Sequence, residues 1–224
     1  MWGETDNTAL NMRAEDQVIV LGRQFGCGGR EIGKALAERL GVPYYDKELL
    51  RSAARRSGFD EDIFSRTDEC RPGLKGVVMG LWSSPADGQY SVSAMSREGL
   101  YRAQSAVIAD VAHAGPCVIV GRTADYVLRD MASMASIFLH APVAYRAEKI
   151  VQRGECDNTD AAVELARRRD SMREQYYNYF TGRRWGYADN YHLCIDSSSM
   201  TTAETVQLMI HYLEHRSVAS GQGH

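Results

Sequence analysis

The chain has 224 residues, 44% hydrophobic and 25% charged, the balance of an ordinary globular protein with one large domain or two small ones. That balance excludes wholesale disorder and collagen-like or disulfide-scaffold designs, and no stretch reaches the ~20 apolar residues of a membrane span. A formal charge of −3, from 26 basic and 29 acidic residues, argues against binding of a nucleic acid polymer.

Residues 1–15 are polar and aperiodic, and 217–224 are small and Gly-rich, so both read as disordered tails around a single domain at 16–216. Residues 17–21 (QVIVL) predict a buried strand that runs into a Gly-rich turn. A helix over 30–40 follows, with Ile32, Leu36 and Leu40 on one face and Gly41 as its stop. A short strand is expected at 43–45 and a basic helix at 47–57. The block 70–97 reads as an irregular insert, since 70–89 hold six glycines and prolines. Helical pattern returns at 98–114, strands at 116–120 and 136–139 flank a helix, and another helix covers 143–153. A long Arg-laden helix at 160–179, a strand at 193–195 and a helix at 202–215 complete the chain. Nearly all-apolar strands alternating with helices predict an α/β fold with a parallel sheet of about five strands, covered on both faces.

The five cysteines are scattered without a CxxC pair, which disfavours a zinc or disulfide framework and suits reduced thiols in the cytoplasm. His113, His140, His192 and His211 have no mutual metal spacing, and no metal site is expected.

The segment VIVLGRQFGCGGREIG is the most informative. Gly22, Gly26, Gly28 and Gly29 lie between a strand and a helix, where glycine permits positive φ and a close approach of backbone N–H groups to phosphate. The N-terminus of the following helix adds its dipole. Arg23, Phe25, Gly26, Cys27, Gly28, Gly29, Arg30 and Glu31 are therefore the candidate phosphate loop. The pattern G-x-x-x-x-G-K-[ST] is not met, because Gly29 takes the Lys position and Arg30 the Ser/Thr position. A dinucleotide site is the rival reading, with Asp46 as the ribose ligand, but Glu31 stands where its third glycine is required.

Arg122 directly follows a strand, at the carboxyl edge where open parallel sheets bind ligands. Arg146 also begins just beyond a strand end. Arg167, Arg168, Arg169, Arg173, Arg183 and Arg184 crowd the long helix and its exit, with Arg169 and Arg173 on one face. Such a group suits a phosphoryl group in transfer, which depends mainly on positioning and charge stabilisation. Asp46, Asp125 and Asp170 are the carboxylates expected to serve ribose, base or magnesium. The aromatic run from Tyr176 to Tyr187 is read as packing.

Five segments in order resemble the cytidylate kinase-like family of P-loop nucleoside monophosphate kinases over about 17–198: the FGCGGREIG loop, LGVPYYDKELL, CVIVGRTADYVLRD, IFLHAPVAYRAEKIVQR, and RRRDSMREQYYNYFTGRRWGYADNYHLCIDSS. The resemblance implies a three-layer α/β/α P-loop fold with a helical lid at about 157–190. It implies ATP on the loop at 26–30, with Mg²⁺, and an acceptor nucleoside monophosphate, CMP or dCMP, facing Asp46, Arg122, Arg146 and Asp170. Arg30, Arg122, Arg169 and Arg173 would be catalytic. It allows a homodimer and involves no membrane. The sequence departs from the family pattern at Gly29, Arg30 and Thr123, where an Asp is expected. A nucleotide-binding or regulatory protein with little turnover, or a kinase for a non-nucleotide metabolite, is therefore an alternative.

Overall fold

A computed structural model describes residues 13–46, 50 and 97–216. Of the expected insert at 70–97 only Arg97 is described, and it begins a helix; residues 1–12 of the tail read at 1–15, the tail at 217–224 and the helix at 47–57 apart from the helical Leu50 lie outside these residues.

Five strands form one parallel sheet: β1 (Val18–Arg23), β2 (Tyr44–Tyr45), β3 (Cys117–Val120), β4 (Met134–His140) and β5 (Leu193–Asp196), in the order β2-β3-β1-β4-β5. The apolar run of β1 places it in the centre, where five of its six residues are buried. Its register, Val18 on Cys117 of β3 and on Met134 of β4, aligns the carboxyl ends of three strands. Successive side chains alternate between the two faces. Ile19 and Leu21 face α1 (Gly29–Leu40) and the last helix, while Val18 and Val20 face α2 (Arg97–His113).

The helices end where the sequence provides caps. Gly41, at φ 68°, returns its N–H to the carbonyls of Ala37 and Glu38 and closes α1. Beyond β3 come the short α3 (Ala124–Val127), then α4 (Val143–Gln152), α5 (Thr159–Thr181) and α6 (Thr202–His215). Asn158 caps α5 by accepting from Ala161, and Thr201 with Glu204 forms a capping box on α6. Small residues Ala147, Ala162 and Ala166 with Ile150 let α4 and α5 pack closely. That contact carries the middle of α5 over the end of β1. Ala14, read as part of the N-terminal tail, is buried in a 3-10 turn (Ala14–Asp16) and packs with residues of α6. No helix among the described residues is long and apolar enough to cross a membrane.

Candidate active site

The loop from Gln24 to Gly28 connects β1 to α1 and is held from behind by four elements. The Phe25 N–H donates to Asp170 Oδ1 of α5 at 2.7 Å, and Arg146 Nη1 of α4 donates to the Phe25 carbonyl at 3.0 Å. Arg146 Nη1 also meets Asp170 Oδ2 at 2.6 Å, and its Nε donates to the Ala141 carbonyl at 2.9 Å. The Ser197 hydroxyl, just past β5, donates to the Cys27 carbonyl at 2.7 Å, and the Ala141 N–H after β4 donates to Gln24 Oε1 at 3.1 Å. Gly26 and Gly28 take φ of 87° and 81°, which an L side chain resists. Among the described residues their N–H groups meet no protein acceptor. Such a loop, anchored on one side and offering amides at a helix start, is built for an anion.

In front of the loop a cleft of about 250 Å³ opens at the carboxyl ends of β1 and β3. Arg23, Arg30, Arg122, Arg169 and Arg173 all line it. Burial lowers the pKa of Arg23, and the nearby charges of Arg173 and Arg122 push it the same way. Arg173 Nη1 spans from the Arg23 carbonyl at 3.3 Å to Asp170 Oδ1 at 3.4 Å. Arg30 reaches Asp46 Oδ2 at 3.2 Å.

The β3 side of the cleft has an unusual backbone. After β3, Gly121, Arg122 and Thr123 are successively left-handed, with φ of 80°, 63° and 56°. Non-glycine residues held in this region cost of order 1–3 kcal/mol each and concentrate at functional sites. The turn delivers Arg122 to the cleft and starts α3, whose Asp125 forms the floor. Asp125 is buried and accepts the Tyr177 hydroxyl at 2.7 Å. Burial raises the pKa of Asp125 against the pull of that hydrogen bond, and burial beside Asp125 raises that of Tyr177.

The structure thus brings together the predicted arginines Arg23, Arg30, Arg122, Arg169 and Arg173, with Phe25 to Gly29 forming the loop behind them. It places four other candidates differently. Arg146 and Asp170 lie behind the loop as its anchors, because Arg146 projects from the buried face of α4 rather than toward an acceptor. Glu31 reaches from α1 to Arg153 at the end of α4, 3.9 Å away, outside the cradle. Asp46 is buried against Arg30 rather than open to a ribose. Sequence reasoning missed Ser197 and the partnership of Tyr177 with Asp125; neither residue belongs to a local pattern. Phe180 stacks on Tyr101 at 4.3 Å and 4°, so this part of the aromatic run does pack.

The donor set fits a polyphosphate. It does not reproduce a loop-borne magnesium site, because the Walker hydroxyl position is Arg30, and no three His, Cys, Asp or Glu side chains converge among the described residues.

The model of the cytidylate kinase-like family matches residues 18–199. The chain belongs to that family. Among solved structures, an uncharacterised protein from Eubacterium ventriosum is similar at TM-score 0.66 and 23% identity, covering 89% of this chain and 99% of that one. A gluconokinase from Sinorhizobium meliloti is similar at TM-score 0.51 and 14% identity, covering 90% and 93%. A shikimate kinase from Bacteroides thetaiotaomicron is similar at TM-score 0.51 and 15% identity, covering 88% and 98%. No curated protein matches this family member. These likenesses agree on the P-loop kinase fold.

Proposed function

We propose that the protein is an ATP-dependent phosphotransferase acting on a phosphate-bearing acceptor, with a nucleoside monophosphate, CMP or dCMP, as the foremost candidate. The observation that carries this reading is the row of five arginines in the cleft beside an anchored glycine loop. Family membership supports a nucleotide-binding kinase-type enzyme.

In the proposed reaction the loop amides hold the β- and γ-phosphates, and Arg122 holds the acceptor phosphate. An acceptor oxygen attacks the γ-phosphorus in line as the bond to the β–γ bridging oxygen breaks, giving ADP and a nucleoside diphosphate. The charge that spreads over the equatorial oxygens meets guanidinium groups already in place, the electrostatic route that dominates phosphoryl transfer. Magnesium would add neutralising charge to the polyphosphate.

Incubating the protein with ATP, Mg²⁺ and each nucleoside monophosphate in turn, then resolving the products, tests the proposal. Conversion of one monophosphate to its diphosphate is expected. Failure with every monophosphate, but turnover of gluconate, shikimate or another metabolite, would replace the acceptor class. A second reading, nucleotide binding without efficient turnover, draws support from Arg30, paired with Asp46, standing where a metal-holding hydroxyl is usual. Tight ATP binding with no transfer to any acceptor would select it.

A further inference from the structure

Gly29 stands at the position of the Walker lysine, yet its backbone lies outside the left-handed region, so conformation does not require a glycine there. Space does. A Cβ on Gly29 would lie 2.8 Å from Arg23 Cγ and 2.9 Å from Arg23 Cβ. At its far end the same side chain meets a second glycine, since a Cβ on Gly121 would collide with Arg23 Nη1. The Arg23 side chain therefore runs from the end of β1, across the first residue of α1, to the turn that carries Arg122. One end lies on the donor loop and the other on the acceptor turn.

The surroundings of Arg23 are those of an anion site. The charged side chains that dominate its environment are Arg173 and Arg122, both of the same sign, and no described carboxylate pairs with it. Arg122 and Arg173 line the same cleft as Arg23, a gathering of guanidinium groups that suits a polyanion. The other arginines near the loop have other commitments: Arg30 is paired with Asp46 at 3.2 Å and is 56% exposed, while Arg173 spans the Arg23 carbonyl and Asp170.

We propose that Arg23 does the work of the missing Walker lysine, reaching the transferred phosphoryl group from the strand side of the loop, and that Gly29 is a glycine to make room for it. The proposal rests on the phosphotransferase reading above. It defines a relocated cation: the charge is kept while its point of attachment moves from the helix to the preceding strand.

Three variants test it: Arg23→Met, which keeps the stem and removes the charge; Arg23→Lys; and Arg23→Gly combined with Gly29→Lys, which vacates the space and restores the lysine position. ATP binding is followed by calorimetry, transfer by single-turnover kinetics, and folding by thermal melting. Loss of one charge-assisted contact to the phosphoryl group predicts a fall in kcat of about 100-fold for Arg23→Met, with acceptor KM changed by less than about 3-fold. Its melting temperature should hold or rise, because a like-charge cluster loses a member; a purely structural arginine would give the opposite. Arg23→Lys should recover part of the rate, and the double variant should exceed Arg23→Gly alone by at least about 10-fold. Transfer by Arg23→Met at the wild-type rate, or a double variant no faster than Arg23→Gly, would overturn this assignment alone. Failure of the wild-type protein to bind ATP would overturn the phosphotransferase reading with it.

Discussion

Arg146 and Asp170 meet at 2.6 Å behind the glycine loop, and both also bind the backbone of Phe25, one at its carbonyl and the other at its N–H. The pair grips a single residue of the loop from both sides. Their side chains are 8% and 14% exposed, so neither charge has much access to water. Removing one partner of a buried pair typically costs about 3–5 kcal/mol, since the other charge is left uncompensated. Arg146→Ala is therefore expected to lower the urea midpoint sharply and to weaken ATP binding. A double-mutant cycle with Asp170→Asn should show strong coupling, and additive effects would refute the grip.

Gly26 faces the same anchor. At φ 87°, a Cβ there would lie 2.9 Å from the Arg146 carbonyl and 3.0 Å from both Arg146 Cβ and Ile150 Cδ1. Gly28, at φ 81°, has only Ile32 Cδ1 nearby, at 3.7 Å. Gly28→Ala should therefore cost about 1–2 kcal/mol, the left-handed penalty alone. Gly26→Ala should cost more, because backbone and α4 must shift as well. Chemical denaturation of the two variants checks the order, and equal losses would refute it.

Thr123 is a β-branched residue at φ 56°. Asn and Gly occupy that region at much lower cost. Thr123→Asn is expected to gain roughly 1 kcal/mol relative to a side-chain-neutral change, provided Asn replaces the short bond from the Thr123 hydroxyl to the Arg122 carbonyl. Thr123→Val, which keeps the branch and loses the hydroxyl, provides the reference. If Val proves as stable as Asn, the left-handed turn is not strained at this residue.

Asp125 gives the stability a pH signature. Burial raises its folded-state pKa above the ordinary value of ~3.9, so the folded form holds this proton more tightly than the unfolded chain does. The stabilising contribution is fully present below the unfolded pKa and is lost as pH rises through the folded pKa. Asp125→Asn, which keeps an acceptor for the Tyr177 hydroxyl, should stabilise the protein near pH 7.5, and the gain should shrink toward pH 4. Denaturant midpoints of both proteins across that range measure it, and a pH-independent difference would contradict the assignment.

The sheet was legible because its strands are short apolar runs. The strand read at 116–120 is Cys117–Val120, whereas the strand read at 136–139 extends to Met134–His140. The extension arises from partners distant in the chain: Met134 and Ala135 pair with Val18 and Ile19 of β1. The glycine loop was legible because four glycines between a strand and a helix have few other uses. What the sequence did not separate was front from back. Arg146 and Arg173 both lie on helices and carry the same charge, and only the packing of α4 on α5 turns one toward the loop backbone and the other toward the cleft. Gly29 looked like a defect in the phosphate motif until the course of the Arg23 side chain supplied the reason for it.

α5 is a single rod of 23 residues, about 34 Å long at 1.5 Å per residue. Asp170, midway along it, is fastened to the Phe25 amide, and Arg173 lies one turn further on, at the mouth of the cleft. Beyond Arg173 the rod runs to Tyr176 and Phe180, which lean on Tyr101 of α2. Its middle thus acts as a fulcrum, and a tilt that withdraws Arg173 from the cleft must strain the Phe25 tether and lift the aromatic end off α2. Opening the cleft and loosening the hold on the glycine loop become one mechanical event.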